Sequence, residues 1–128
     1  MSDIDEYNEK QTGETQKIVT FLRGEILRAL PESQGKVYHA HPAWFMNENP
    51  IVGYDVSDHG VNILFWSGQS FQTPGLTAKG KFKAAGTTYT AVADIDGAQL
   101  QAWLEESKTV QWDYKNLRAN NGVLTKLS

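Results

Sequence analysis

Ile51-Val52-Gly53-Tyr54-Asp55-Val56-Ser57-Asp58-His59-Gly60-Val61-Asn62-Ile63-Leu64-Phe65-Trp66 is the stretch that decides the fold, because it joins two β-rich segments through a tight-turn signal. Val52, Tyr54 and Val56 alternate on one face of the first segment, and Asp58-His59-Gly60 predicts the turn. Apolar side chains occupy both faces of the second segment, which is typical of a central strand. The stretch therefore predicts an antiparallel hairpin at the centre of a sheet.

Two helices and two further strands are predicted around this hairpin. Apolar residues at three-and-four spacing predict an amphipathic helix over residues 14–30, which Pro31 ends because its ring is incompatible with the next helical turn. Residues 36–46 are predicted to be extended and to complete a three-strand meander, and residues 87–93 form another strand. Asp96 is expected to cap a last helix.

The fold class that follows is α+β, with one domain over residues 1–128. An antiparallel sheet of about four to five strands is expected to pack against an N-terminal and a C-terminal helix. The chain is 40% hydrophobic, and its four Trp, five Tyr and five Phe supply much of the core volume. The polar segment 1–12 is expected to be a loosely ordered lead-in or a short helix, and residues 120–128 are expected to be loosely ordered.

Composition predicts a cytoplasmic protein. The absence of cysteine excludes disulfides, thiolate ligands and a cysteine nucleophile. The acidic start of the chain and the lack of a long apolar run argue against export and against a membrane span. The net charge of −3 argues against nucleic acid and anionic lipid as partners, because both require clustered Lys and Arg, and only Lys79, Lys81 and Lys83 cluster.

Several local strings carry a family resemblance. They are Leu22-Arg23-Gly24-Glu25-Ile26 followed by Pro31, His41-Pro42-Ala43-Trp44-Phe45, Pro50-Ile51-Val52-Gly53-Tyr54, Leu64-Phe65-Trp66-Ser67-Gly68, Gly80-Lys81-Phe82-Lys83-Ala84-Ala85 and Gln111-Trp112-Asp113-Tyr114-Lys115-Asn116. With the order of predicted elements, they are similar to the YdhG-like domain-of-unknown-function family over most of the chain. One branch of that family is described as a frataxin-like intracellular iron chaperone, so the resemblance implies the α+β fold and an iron-handling role. It implies no site residues.

A metal site is predicted at His39 and His41, the only nearby pair of imidazoles in the sequence. If residues 36–46 are extended, the two side chains lie on one face, and imidazole ligands suit iron or zinc. Asp55, Asp58 and His59 are further candidate ligands. The alternative is a hydrogen-bonded histidine pair that holds no metal. No cofactor is required by the sequence, and iron is the one candidate.

Catalytic motifs are incomplete, so no enzymatic activity is expected. Residues 75–81 have the glycine and lysine spacing of a phosphate-binding loop, but Phe82 stands where a Ser or Thr hydroxyl would meet magnesium. Ser67 and Ser70 lie near glycine without the flanking pattern of a nucleophile elbow, and turn formation explains them better.

A ligand-binding cleft is the alternative to metal handling. Its candidate side chains are mostly aromatic: Trp44, Phe45, Trp66, Gln69 and Phe71. The cleft is expected between the 36–46 strand and the 67–85 loop, unless these aromatics only fill the core. The sequence thus predicts a cytosolic binding protein of the YdhG-like type with a role in iron handling. The alternative is a module for a small ligand or a protein partner, using an aromatic cleft around Trp44 and Trp66.

Overall fold

The computed structural model describes residues 3–127 and has an α+β fold with three helices and six strands. The helices are α1 (Asp3–Glu9), α2 (Gly13–Ala29) and α3 (Gly97–Ser107), and the strands are β1 (Gln34–Tyr38), β2 (His41–Met46), β3 (Asn49–Ser57), β4 (Gly60–Phe65), β5 (Thr77–Ala78) and β6 (Ala85–Tyr89). The predicted fold class is confirmed, with one strand more than expected. None of the helices in residues 3–127 is long and apolar enough to cross a membrane.

The six strands form one antiparallel sheet in the order β1-β2-β3-β4-β6-β5. Strands β1 to β4 follow one another through tight turns, whereas the chain leaves β4 by a long loop and returns so that β6 pairs with β4. The predicted hairpin over residues 51–66 corresponds to β3 and β4, and both strands lie inside the sheet with a partner on each side. The sequence pattern therefore located the centre of the sheet correctly.

The prediction that residues 36–46 form one extended segment is wrong, because the chain reverses direction in the middle of it. His39 and Ala40 have positive φ values of 51° and 72°, as in the two-residue turns that join twisted antiparallel strands. The reversal separates β1 from β2 and places Tyr38 opposite His41. A meander of four strands therefore replaces the predicted meander of three.

All three helices contribute to a single core on one face of the sheet. Its buried residues come from α1 (Ile4), α2 (Ile18, Val19, Leu22, Ile26 and Ala29), α3 (Leu100, Trp103 and Leu104) and the sheet (Trp44, Val52, Tyr54, Val61, Ile63, Phe65 and Tyr89). The side chain of Asp96 accepts a hydrogen bond from Gln99 N at 3.1 Å, which confirms the predicted cap of α3. We call the opposite face of the sheet the outer face.

The N-terminal segment contains a short helix, which was one of its two predicted forms. Residues 3–9 form α1, where Ile4 is buried against the core and Asn8 Oδ1 accepts a hydrogen bond from Tyr54 Oη at 2.7 Å. A buried apolar anchor and a buried hydrogen bond thus hold this helix on the sheet. The first two residues of the chain lie outside the described part.

The segment after α3 returns to the start of β3. The buried Asn49 amide donates to Trp112 O at 3.0 Å and accepts from Lys115 N at 2.9 Å. Residues 120–127 are mostly exposed but are hydrogen-bonded to residues 111–113 through two backbone bonds of 2.7 and 2.8 Å. These two bonds attach the tail to the segment after α3, and residue 128 lies outside the described part.

Candidate functional site

The outer face carries a groove of about 610 Å³. Its lining combines residues of β1 to β4 and β6, the β1–β2 turn and Lys79: Tyr38, His39, His41, Pro42, Ala43, Gly53, Tyr54, Asp55, Asn62, Ile63, Leu64, Trp66, Lys79 and Thr87. The groove lies between the predicted 36–46 segment and the 67–85 loop, which is where a cleft was expected. Strands β3 and β4 form its base.

The floor of the groove is a row of small side chains across four strands. Ala43 pairs with Gly53, Gly53 with Leu64, and Leu64 with Gly86, so these positions share the outer face. A Cβ atom at Gly53 would come within 3.3 Å of the Trp66 ring. The groove is deep here because glycine and alanine lack the larger side chains that would fill it. Leu64 supplies an apolar surface in the middle of the floor.

One wall of the groove is polar and is held by hydrogen bonds between neighbouring strands. Asn62 pairs with Asp55 on one side and with Thr88 on the other. The Asn62 amide nitrogen donates to Asp55 Oδ1 at 2.7 Å, and the Thr88 hydroxyl donates to Asn62 Oδ1 at 2.5 Å. These bonds fix the orientation of the amide. No residue within 3–127 donates to the second carboxylate oxygen of Asp55, so that oxygen can accept from a ligand.

The opposite wall is aromatic. Trp66 follows β4 directly and lies on the outer face, and its backbone N–H donates to Ile51 O at 3.1 Å. Lys79 lines the groove from the loop between β5 and β6, where its backbone N–H donates to Ala84 O at 2.8 Å. Across the width of the groove, a flat ring surface and an ammonium group thus face a carboxylate and an amide.

A second cleft of about 440 Å³ adjoins the groove. It is lined by Gln34, Lys36, Tyr38, Phe45, Glu48, Pro50, Trp66, Tyr114, Lys115 and Leu117. Tyr38 and Trp66 line both cavities, so the two cavities adjoin each other at these side chains. Burial raises the pKa of Tyr114, whose hydroxyl oxygen accepts a hydrogen bond from Lys83 N at 3.0 Å. The phenol therefore stays neutral and attaches the C-terminal segment to the loop before β6.

The predicted aromatic cleft around Trp44 and Trp66 does not form, because the two indoles lie on opposite faces of the sheet. Trp44 is 1% exposed and packs in the core, with its ring centroid 5.6 Å from that of Tyr54. Phe71 also belongs to the helix-facing side, where its ring contacts Phe65 at 5.4 Å. Core packing, the alternative stated for these aromatics, accounts for Trp44 and Phe71.

The other predicted ligand-binding residues divide between the outer face and the loop after β4. Phe45 lines the second cleft with Trp66, and its ring contacts that of Tyr38 at 5.2 Å. Gln69 instead donates through its side chain to Ala84 O at 2.9 Å, which ties the loop to β6. Two of the five predicted residues, Phe45 and Trp66, thus contribute to the cavities on the outer face.

The predicted metal pair does not share one face of an extended strand, because His39 lies in the turn and His41 begins β2. Both still line the groove with Asp55. The His39 ring lies 4.1 Å from that of Tyr38, and the His41 ring lies 6.5 Å from that of Tyr7. No group of three or more His, Cys, Asp or Glu side chains among residues 3–127 could hold a metal ion.

Three residues that line the groove were not predicted as site residues: Tyr38, Asn62 and Lys79. Asn62 offered the clearest signal, since it is a polar residue inside an apolar strand and shares a face with Leu64 and Trp66. Tyr38 and Lys79 reach the groove through the β1–β2 turn and the loop before β6. Neither position follows from local spacing.

We find no family model, no curated protein and no solved structure that matches this chain. The resemblance to the YdhG-like family therefore stays a prediction.

Proposed function

We propose that this protein binds a small, planar, amphipathic organic molecule in the groove of the outer face. The observation that carries the proposal is the cross-section of the groove: a floor of small side chains between a polar wall and an aromatic wall. Its volume of about 610 Å³ falls in the range of known small-molecule sites. A few polar groups beside an apolar surface are the usual composition of such sites.

The walls define what such a ligand looks like. A flat ring gains contact area and favourable stacking geometry against Trp66 and Leu64. An N–H or O–H group on the edge of the ring is suited to Asp55, whose second carboxylate oxygen accepts no hydrogen bond from residues 3–127. The Asn62 amide nitrogen already donates to Asp55 and Ser57, and its oxygen accepts from Thr88, so Asn62 mainly holds Asp55 in place. The ligand is therefore expected to have an apolar face and a donor edge.

Iron handling, the role that the family resemblance implies, has less support. His39, His41 and Asp55 line the groove, but no set of three such side chains in residues 3–127 is grouped closely enough to hold an ion. A mononuclear iron site usually needs several nitrogen and oxygen ligands in one coordination shell. The organic ligand is the function that the geometry favours.

The proposal is tested by an NMR fragment screen on the ¹⁵N-labelled full chain. Flat heterocycles with N–H donors are expected to shift the amide signals of Gly53, Asn62 and Leu64 and the indole signal of Trp66. Leu64→Gln should abolish these shifts, because it places an amide on the apolar floor. Leu27→Gln is the matched control, since Leu27 is 41% exposed on α2, away from the groove.

Two results would count against the organic ligand. One is a screen in which no fragment shifts the groove signals while both variants remain folded. The other is saturable binding of ferrous iron under anaerobic conditions that is lost in the His39→Ala, His41→Ala double variant. That second result would establish iron handling instead.

A further inference from the structure

The charges of this protein are sorted between its two sides. The helical side, residues 3–33 and 92–110, contains eleven Asp and Glu and five Lys and Arg. The sheet side, residues 34–91 and 111–127, contains four Asp and Glu and seven Lys and Arg. The net charge of −3 thus averages an acidic helical layer and a basic sheet side. The expectation against nucleic acid rested on that average, so it does not apply to the outer face by itself.

The cations of the two sides also differ in their partners. Four of the five on the helical side form ion pairs: Lys17 with Glu14, Arg23 with Asp5, Arg28 with Glu25 and Lys108 with Glu105. On the sheet side of the described chain, only Lys115 has a carboxylate within reach, Glu48 at 3.9 Å. Lys36 and Lys79 have none there, and the Lys36 ammonium lies over the Phe45 ring, 4.8 Å from its centroid. Their charge remains available to an anion from outside.

These cations line the groove and the adjoining second cleft. Lys79 lines the groove, whereas Lys36 and Lys115 line the second cleft. Tyr38 and Trp66 belong to both cavities and lie between the two sets of cations. Flat rings flanked by separated ammonium groups match a chain in which flat bases alternate with phosphates.

We propose that the outer face binds single-stranded nucleic acid. One base occupies the groove against Trp66, the adjoining nucleotide occupies the second cleft, and the flanking phosphates contact Lys36, Lys79 and Lys115. Asp55 accepts a hydrogen bond from an amino group of the base in the groove, as carboxylates do from cytosine. The inference rests on the proposed function, because that base is the planar ligand with a donor edge.

The test is fluorescence anisotropy with the full chain and three labelled probes of equal length. They are a cytidine oligonucleotide of about ten residues, a strand of the same phosphates without bases, and a glutamate peptide. Near 50 mM salt we expect saturable binding of the oligonucleotide and much weaker binding of the other two. If three phosphates are contacted, the logarithm of affinity should fall with the logarithm of salt at a slope of about −2.

Variants separate the contribution of charge from that of stacking. The Lys36→Gln, Lys79→Gln, Lys115→Gln triple variant should lose at least about a hundredfold in affinity near 50 mM salt and most of the salt dependence. Trp66→Leu should also lose about tenfold while keeping the salt slope, because it removes the stacking surface and no charge. Lys10→Gln is the matched control, since Lys10 is an exposed cation of the helical side with no ion pair in the described chain.

Three outcomes overturn the inference: no saturable oligonucleotide binding at low salt, equal binding of the strand without bases, or equal binding of the glutamate peptide. The last two would identify the outer face as a general site for polyanions or for acidic peptides. If fragments still shift the groove signals in the NMR screen, the proposed function stands and only the nucleic acid is excluded. If neither fragments nor oligonucleotide bind, both proposals fail.

Discussion

Two tyrosine hydroxyls on the helix-facing side of the sheet are both buried but differ in their partners. Tyr54 Oη donates to Asn8 Oδ1 at 2.7 Å and so joins β3 to α1. The hydroxyl of Tyr89, on β6, has no hydrogen-bond partner among residues 3–127. Burial raises the pKa of both phenols, that of Tyr89 to about 12. Both phenols are therefore neutral at ordinary pH. Burial removes the hydrogen bonds of each hydroxyl to water, and only the Tyr54 hydroxyl makes a hydrogen bond within the described chain instead.

Replacing each tyrosine by phenylalanine should change the free energy of unfolding by different amounts. Tyr54→Phe leaves the Asn8 amide oxygen without its donor in a buried site, and we expect a loss of about 1–2 kcal/mol in the free energy of unfolding. Tyr89→Phe removes a hydroxyl that makes no hydrogen bond in the described chain. The free energy of unfolding should therefore change by less than about 0.5 kcal/mol or increase. Urea unfolding of the two variants measures both values. Equal losses would mean that the Asn8 bond contributes nothing.

At the scale of elements, the carboxylate of Glu106 joins α3 to the loop after β4 through hydrogen bonds. Glu106 accepts hydrogen bonds from Gln72 N at 2.7 Å, from Thr73 N at 2.8 Å and from the Thr73 hydroxyl. Burial by itself would raise the pKa of Glu106, but these three hydrogen bonds outweigh it and lower the pKa. The folded protein therefore prefers the charged carboxylate more strongly than the unfolded chain does.

This preference gives a sign to the pH dependence of stability. Because the folded pKa of Glu106 is depressed, its stabilisation is fully present above the unfolded value of about 4.3 and is lost as the pH falls through the folded pKa. Glu106→Gln should thus be less stable than the wild type near pH 7, and the gap should shrink on acidification. Urea unfolding of both proteins across this range measures it.

The neighbouring exposed residue provides the control. Glu105→Gln removes only an exposed pair with Lys108, at 2.8 Å, and should change stability little at any pH. A gap between wild type and Glu106→Gln that stayed constant down to about pH 3 would contradict the assigned role of the carboxylate.

Elements whose periodicity is strong could be predicted from the sequence, and elements that depend on unusual backbone geometry could not. The apolar spacing of α2 predicted both of its ends within one residue, and the Asp96 cap predicted the start of α3. The β1–β2 turn escaped prediction because His39 and Ala40 adopt positive φ without the Asn-Gly or Asp-Gly signal that usually marks such turns. Strand β5 has two residues, too few for any alternation to be seen.

The site was predictable only in part, since it depends on which face each strand presents. Alternation within β4 placed Trp66 with Asn62 and Leu64, and that assignment is correct. Nothing local related Trp44 to Trp66, because they lie on strands whose relative register is fixed by β3 between them. Two aromatics that look equivalent in sequence therefore separate into a core residue and a residue of the outer face.

For the whole molecule, the one-sided arrangement of helices makes the two faces of the sheet differ in burial. The helical layer buries one face in a continuous core, whereas the outer face carries the groove and the second cleft. Strands β3 and β4 have a hydrogen-bonded neighbour on each side, but β5 is a two-residue edge strand. Resistance to local opening should therefore fall from the centre of the sheet toward β5.

Amide hydrogen exchange followed by NMR tests this gradient. The amides of β3 and β4 should exchange slowest and only through global unfolding, so small additions of urea should accelerate them with the full denaturant dependence. The amides of β5 should exchange at least about a hundredfold faster, with little dependence on urea.

Strand β1 should exchange at an intermediate rate although it is the other edge of the sheet. The reason is that Asp3 Oδ2 accepts a hydrogen bond from Val37 N at 2.8 Å and α1 packs beside this strand. Asp3→Ala should then accelerate exchange in β1 and leave β3 and β4 unchanged. If β1 exchanged as fast as β5 in the wild type, α1 would contribute no protection to that edge of the sheet.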